Sequence, residues 1–202
     1  MGNFPITPYA IAKNGKLPVI TSFPDGTFAV AWQDTQSGTP PNYYLQHYDT
    51  SMNKIGSMST LVTGYAACQT GMSGSPALMP FQNGNLAVSK TNSQNGSWAW
   101  VLENTLQHEL VPHFNFYDGT VSSTANSVAN PAFALLPNGD FVMTWTRFDK
   151  SNQDIYARVF DPHGNAITAE ILVNTYTKSI QQMSSVVAFS DGGFVIAYQS
   201  MG

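Results

Sequence analysis

Charge is scarce in this chain. Asp, Glu, Lys and Arg together make up 10% of the residues, against about 25% in an ordinary globular protein. Asn, Gln, Ser and Thr take over the water-facing role, a habit of secreted and surface β-proteins. The eight Lys and Arg residues are scattered and the formal net charge is −4. Nucleic-acid binding needs clustered cations that displace counterions, so that class is excluded. A membrane-surface role falls for the same reason. Cysteine is nearly missing: Cys68 stands alone beside Ala66 and Ala67. No internal disulfide can form, and zinc-type Cys spacings are absent. The thiol reads as a small buried apolar residue. No run approaches the ~18 apolar residues of a membrane helix, so no membrane insertion is expected. No basic start precedes an apolar stretch, so no leader segment is visible. Helical periodicity is also lacking beyond about two turns; Ala169-Glu170-Ile171-Leu172 looks helical only in isolation.

What the chain does have is one turn used four times. It reads Phe23-Pro24-Asp25-Gly26-Thr27-Phe28, Phe81-Gln82-Asn83-Gly84-Asn85-Leu86, Leu136-Pro137-Asn138-Gly139-Asp140-Phe141 and Phe189-Ser190-Asp191-Gly192-Gly193-Phe194. The glycines lie 58, 55 and 53 residues apart, which marks a repeat architecture. Eight positions before them stand Pro18, Pro76, Pro131 and Ser184. Short apolar runs precede each turn, and runs such as Phe28–Trp32 and Phe141–Trp145 follow it. An Asp/Asn-Gly between β-branched and aromatic runs is a hairpin signal, because the turn needs a residue tolerant of positive φ. These are strands A and B.

Strand C follows a polar loop, at Tyr43–Tyr48, Trp98–Leu102 and Ile155–Phe160. A fourth element, D, recurs at Pro5–Tyr9, Leu61–Tyr65, Leu110–Phe114 and Leu172–Tyr176. With 43% hydrophobic residues the chain can fill a core. The expectation is a single all-β, β-propeller-like domain of about four blades, roughly 55 residues each, with the last blade incomplete. Two registers can be drawn. Units D-A-B-C, near 1–52, 53–105, 106–165 and 166–202, waste fewer strands and are preferred; units A-B-C-D are the alternative. A sandwich or barrel of short strands is the competing fold.

The third and fourth units carry a resemblance. Asn130-Pro131-Ala132 leads through Leu136–Trp145 to Asp154-Ile155-Tyr156-Ala157-Arg158-Val159-Phe160-Asp161, then to Gly164-Asn165, Val173–Tyr176 and Asp191–Ser200. This is similar to propeller-type tandem repeats of large secreted bacterial adhesin-like and calcium-associated proteins. It covers about 70 residues well and the first two units loosely. Unit two departs from it, with Lys90 at the strand-ending aromatic position and Trp98-Ala99-Trp100 in strand C. The resemblance implies a propeller-like structure and an extracellular or cell-surface setting, and it implies no catalytic residue.

The B–C loops differ between units, and loops on a repeated scaffold carry function. In the third, Asp149, Asn152 and Asp154 have a spacing able to wrap oxygens around Ca²⁺, against the reading of a solvated polar turn. Lys150 inside the loop weakens the metal reading. Tyr43, Tyr44 and Trp98, with Asp34, Asn95, Asp149 and Asn152 nearby, are candidates for stacking on sugar rings and bonding hydroxyls. Trp32, Trp145 and Tyr198 share one repeat position and read as core. No carboxylate pair at a diagnostic spacing, no Gly-x-Ser-x-Gly elbow and no phosphate loop is present, so no catalytic residue is assigned. The leading expectation is a non-enzymatic extracellular module that binds a glycan or a protein surface. A structural or assembly domain using an open blade edge, and forming a homo-oligomer, is the alternative; a small glycosidase ranks third.

Overall fold

The computed structural model describes residues 10–34, 42–62, 76–92, 96–104, 106, 109–115, 128–149 and 152–202. Every regular element among them is a strand. Sheet one holds β1 (Gly15–Ser22), β2 (Phe28–Asp34), β3 (Asn42–Tyr48) and β4 (Lys54–Val62). Sheet two holds β5 (Ala77–Pro80), β6 (Leu86–Asn92), β7 (Gly96–Leu102) and β8 (Glu109–Asn115). Sheet three holds β9 (Val128–Leu135), β10 (Phe141–Asp149), β11 (Asn152–Phe160) and β12 (Ile171–Leu172). Sheet four has two strands, β13 (Gln181–Ala188) and β14 (Phe194–Ser200). All neighbours pair antiparallel. The fold is all-β and propeller-like, as the repeat implied, and the segment 169–172 that looked helical contributes β12.

The sheets follow the register A-B-C-D. Each D strand pairs with the C strand before it: β4 with β3, β8 with β7 and β12 with β11. The D-A-B-C unit bounds, near 1–52, 53–105, 106–165 and 166–202, therefore cut across the sheets. The reason is connection length. Residues 49–53 join β3 to β4, whereas 63–76 separate β4 from β5, and short connections join neighbouring antiparallel strands. The Pro5–Tyr9 segment lies outside the described residues.

The repeated turn has one construction in four copies. Gly26, Gly84, Gly139 and Gly192 have φ between +85° and +92°, where a side chain would be strained. The residue before each glycine closes an Asx turn: Asp25, Asn83, Asn138 and Asp191 accept from the backbone N–H two positions on, at 2.9–3.1 Å. One side-chain oxygen of each thus closes its own turn.

Alternation along strand B builds the seams between sheets. Ala29, Ala31 and Leu45 of sheet one pack on Leu86, Val88 and Leu102 of sheet two. Ala87, Ala99 and Val101 of sheet two meet Phe141, Met143, Trp145 and Phe160 of sheet three. Ala134, Leu136 and Val142 of sheet three meet Val186, Ala188 and Phe194 of sheet four. The second seam is the most aromatic. Phe141 has ring neighbours Phe160 at 5.4 Å and Phe81 and Phe133 at 5.9 Å. The far face of sheet four has no such cover among the described residues: Val187 and Val195 are about half exposed, although Val195 matches buried Ala29, Ala87 and Val142 in the repeat.

Candidate functional site at the B–C end

All A strands start, all B strands finish and strands C of the first three sheets start at one end of the sheets, the B–C end. Three A strands carry the same irregularity there. Leu17-Pro18, Asn130-Pro131 and Met183-Ser184 each place two residues opposite one, Trp32, Trp145 and Tyr198 respectively. The first residue of each pair has φ of +50°, +50° and +56°. These are β-bulges with a non-glycine residue in the left-handed region. A second bulge position can be proline because it is not asked for a ladder hydrogen bond, which explains the repeated Pro18 and Pro131. Bulges of this kind re-aim side chains, and such strain clusters at binding and catalytic sites.

The seams also turn polar toward this end. Thr144, Thr146 and Ser89 are fully buried on strands B, and Gln33, Gln181 and Ser184 nearly so. Ser184 Oγ donates to Thr144 Oγ1 at 3.0 Å across sheets three and four. Gln33 Nε2 donates to the Tyr43 hydroxyl at 3.3 Å. Ser89 Oγ and Thr146 Oγ1 have no partner among the described residues. A buried hydroxyl without a partner costs about 1–3 kcal/mol, so apolar residues would serve stability better here.

In sheet three the β10–β11 hairpin is tied to the segment after β12. Buried Asn174 accepts from the Ile155 N–H at 2.7 Å and donates to Asp154 Oδ1 at 2.7 Å and to the Tyr176 carbonyl at 2.9 Å. Asn152 Nδ2 donates to the Thr177 carbonyl at 2.8 Å. Arg147 binds Glu170 at 2.8 Å and lies 3.5 Å above the Tyr156 ring. Two of the three residues suggested for Ca²⁺ thus already serve a neighbouring segment. Asp149 pairs with Asn152 across the hairpin, and its side chain lies outside the described set. Among the described residues no group of three or more His, Cys, Asp or Glu converges.

The sugar-stacking candidates are dispersed. Tyr43 is buried and Tyr44 points to the opposite face, 6.0 Å from the Trp32 ring. Alternation along β3 prevents them from forming one platform. Asp34 ends β2 opposite Gly15 and Asn42. Trp98 sits in β7 opposite Lys90 and Asn115; its side chain, and Asn95 altogether, lie outside the described residues. Trp32 and Trp145 are buried as core, while Tyr198 is partly exposed on sheet four. The bulge residues, Thr144, Ser184 and Asn174 escaped sequence reading. Only the prolines eight residues before the glycines hinted at them.

No family model matches this chain, and neither does any curated protein. Solved structures do match. An α-L-arabinanase of Penicillium chrysogenum in complex with arabinobiose is 17% identical, with a TM-score of 0.62 over 89% of this chain and 57% of its own. An endo-arabinase of Bacteroides thetaiotaomicron is 16% identical, with a TM-score of 0.53 over 90% of this chain and 68% of its own. A protein of unknown function from Dyadobacter fermentans is 11% identical, with a TM-score of 0.64 over 94% of this chain and 63% of its own. The chain thus spans 57–68% of the length of these structures, and the likeness is one of fold. It overturns the expectation of a non-enzymatic binding module, and it does not favour the structural or assembly alternative either. Matching propellers include glycoside hydrolases, so the scaffold gives no ground for calling this chain a non-enzyme.

Proposed function

We propose that this chain belongs to a glycoside-hydrolase-type propeller that takes its glycan at the B–C end of the sheets. The observation that carries this reading is the concentration of buried hydroxyls and amides, with three left-handed bulges, at that one end. Buried polar groups of this kind fix the strand ends that present a site, while carboxylates carry out the cleavage as general acid and as base or nucleophile. Asp34 and Asp149, at the ends of β2 and β10, are the first carboxylates to substitute. Glu170 and Asp154 are engaged by Arg147 and Asn174 and take positioning roles. The substrate class we infer is an arabinose-containing oligosaccharide or polysaccharide, met outside the cell.

The test is a product assay on arabinan oligosaccharides and a panel of aryl glycosides. Release of reducing sugar by the wild-type chain, reduced at least about 100-fold by Asp34→Asn or Asp149→Asn, is the expected result; general acid–base groups contribute about 10²–10⁴-fold. Turnover that survives both substitutions moves the acid–base pair elsewhere. Absence of both turnover and binding in a folded chain overturns the reading.

A further inference from the structure

The opposite end of the sheets holds one departure from the repeat that the proposed hydrolysis does not use. Position for position, His47 of β3 matches Val101 of β7 and Val159 of β11, since each sits opposite the third residue after its turn glycine. Val101 is buried in the apolar second seam and Val159 packs in the third. Sheet one places an imidazole there, also buried. The cost of sinking a polar ring at an apolar position is accepted at functional sites.

The ring is held in a fixed chain. The Thr27 hydroxyl donates to Asp25 Oδ1 at 2.7 Å and stands 2.8 Å from His47 Nε2. Because its one proton goes to the carboxylate, Nε2 must be the imidazole's donor. Nδ1 is then bare, and it is buried with no partner among the described residues. The Phe23 ring packs against the imidazole at 5.1 Å. Beside this chain a cavity of about 470 Å³ opens between the first two sheets, with the amides of Gln82, Asn83 and Asn104 on its far wall.

We propose that this cavity is a second binding site, for one neutral sugar residue. Elimination selects the ligand class. Among the described residues no Lys or Arg lines the cavity, and Asp25 would repel an anion. Among the described lining residues a metal ion would find one carboxylate, which Thr27 already bonds twice, short of the six to eight oxygens that Ca²⁺ takes. A purely apolar guest would strip water from one carboxylate and three amides without replacing their hydrogen bonds. Adjacent hydroxyls on a compact ring satisfy them. The volume falls within the 300–1,000 Å³ usual for ligand pockets. This site is independent of the B–C end and of any hydrolysis there.

The test follows the His47 ring protons by NMR while L-arabinose, D-xylose or D-glucose is titrated into the wild-type chain, into His47→Val and into Asp25→Asn. A saturable shift of the His47 signals by at least one sugar is expected. Asp25→Asn should weaken that sugar's binding about tenfold, the size of one hydrogen bond to a charged group. His47→Val restores the side chain of the other two sheets, so it should melt no lower than wild type and still lose the sugar, read from the Phe23 ring signals. Asp34→Asn, at the other end, should leave the binding unchanged, which separates this site from the proposed hydrolytic one. No saturable shift with any of the three sugars, or undiminished binding in both His47→Val and Asp25→Asn, overturns the proposal.

Discussion

The seam between sheets two and three and the seam between sheets one and two are built from the same repeat positions and filled differently. The former is packed with rings: Phe81, Phe141, Trp145 and Phe160, with Met79 and Met143 between them. The latter uses alanines and leucines, and at one end it admits His47. An identical backbone scheme therefore yields one seam devoted to cohesion and another that gives up apolar contact to host a polar chain. The difference puts the most aromatic packing between sheets two and three and a buried polar group between sheets one and two.

The comparison can be broken most forcefully at Phe141. Removing a fully buried ring with three ring neighbours by Phe141→Ala should cost about 3–5 kcal/mol in chemical denaturation. A loss below about 2 kcal/mol would mean the aromatic seam is not the cohesive one. Next comes Leu86→Ala in the less aromatic seam, with an expected cost of about 2–3 kcal/mol, at the lower end for a buried leucine. If it exceeds the Phe141 cost, the ranking of the seams is reversed. Smaller is Ser184→Ala, which removes one buried hydrogen bond to Thr144 and should cost about 1 kcal/mol. An increase in stability would show that the polar seam contributes nothing to folding.

The smallest effect is one of pH and separates the seams by charge. Burial holds the His47 pKa below its ordinary 6.5, with Asp25 pulling weakly the other way. The unfolded chain therefore takes up a proton before the folded one does. Stability should fall as pH drops from above 6.5 toward the folded value, and level off beneath it. His47→Val should lack that step, so the gap between its melting temperature and the wild-type value widens from pH 7.5 to pH 5. A constant gap would place the imidazole in water rather than in the seam.

Much of the architecture was legible because its signals are local. An Asp or Asn before a glycine closes its own turn through a side chain two residues away, so four hairpins could be read without knowing what they pack against. The pairing of strand D was not legible by the same route. Leu61-Val62 and Leu110-Val111 look alike whichever sheet they join, and connection length decided the matter. The site fared worse for a physical reason. Tyr43 and Tyr44 are neighbours in sequence but lie on opposite faces of β3, so their adjacency carried no common surface. Asn152 and Asp154 suggested a cation loop until the fold brought Asn174 and Thr177 against them from about 20 residues away. His47 lies within a strand whose pattern singles out no residue, and only the alignment of three sheets reveals valine as its counterpart.

By itself, the sequence determined a fourfold strand–turn–strand repeat and an all-β class. These depend on backbone tolerance, alternation and composition, each of which acts over a few residues. The tertiary structure alone decided which strand closes each sheet, which seams hold rings and which hold hydroxyls, and where a bulge turns a leucine, an asparagine and a methionine into the left-handed region. Those outcomes depend on contacts between segments 20 to 50 residues apart, with Ser184 on Thr144 at 40 and His47 on Thr27 at 20. A linear pattern does not encode such distances, because many packings satisfy the same alternation and only the summed burial of the whole array selects one.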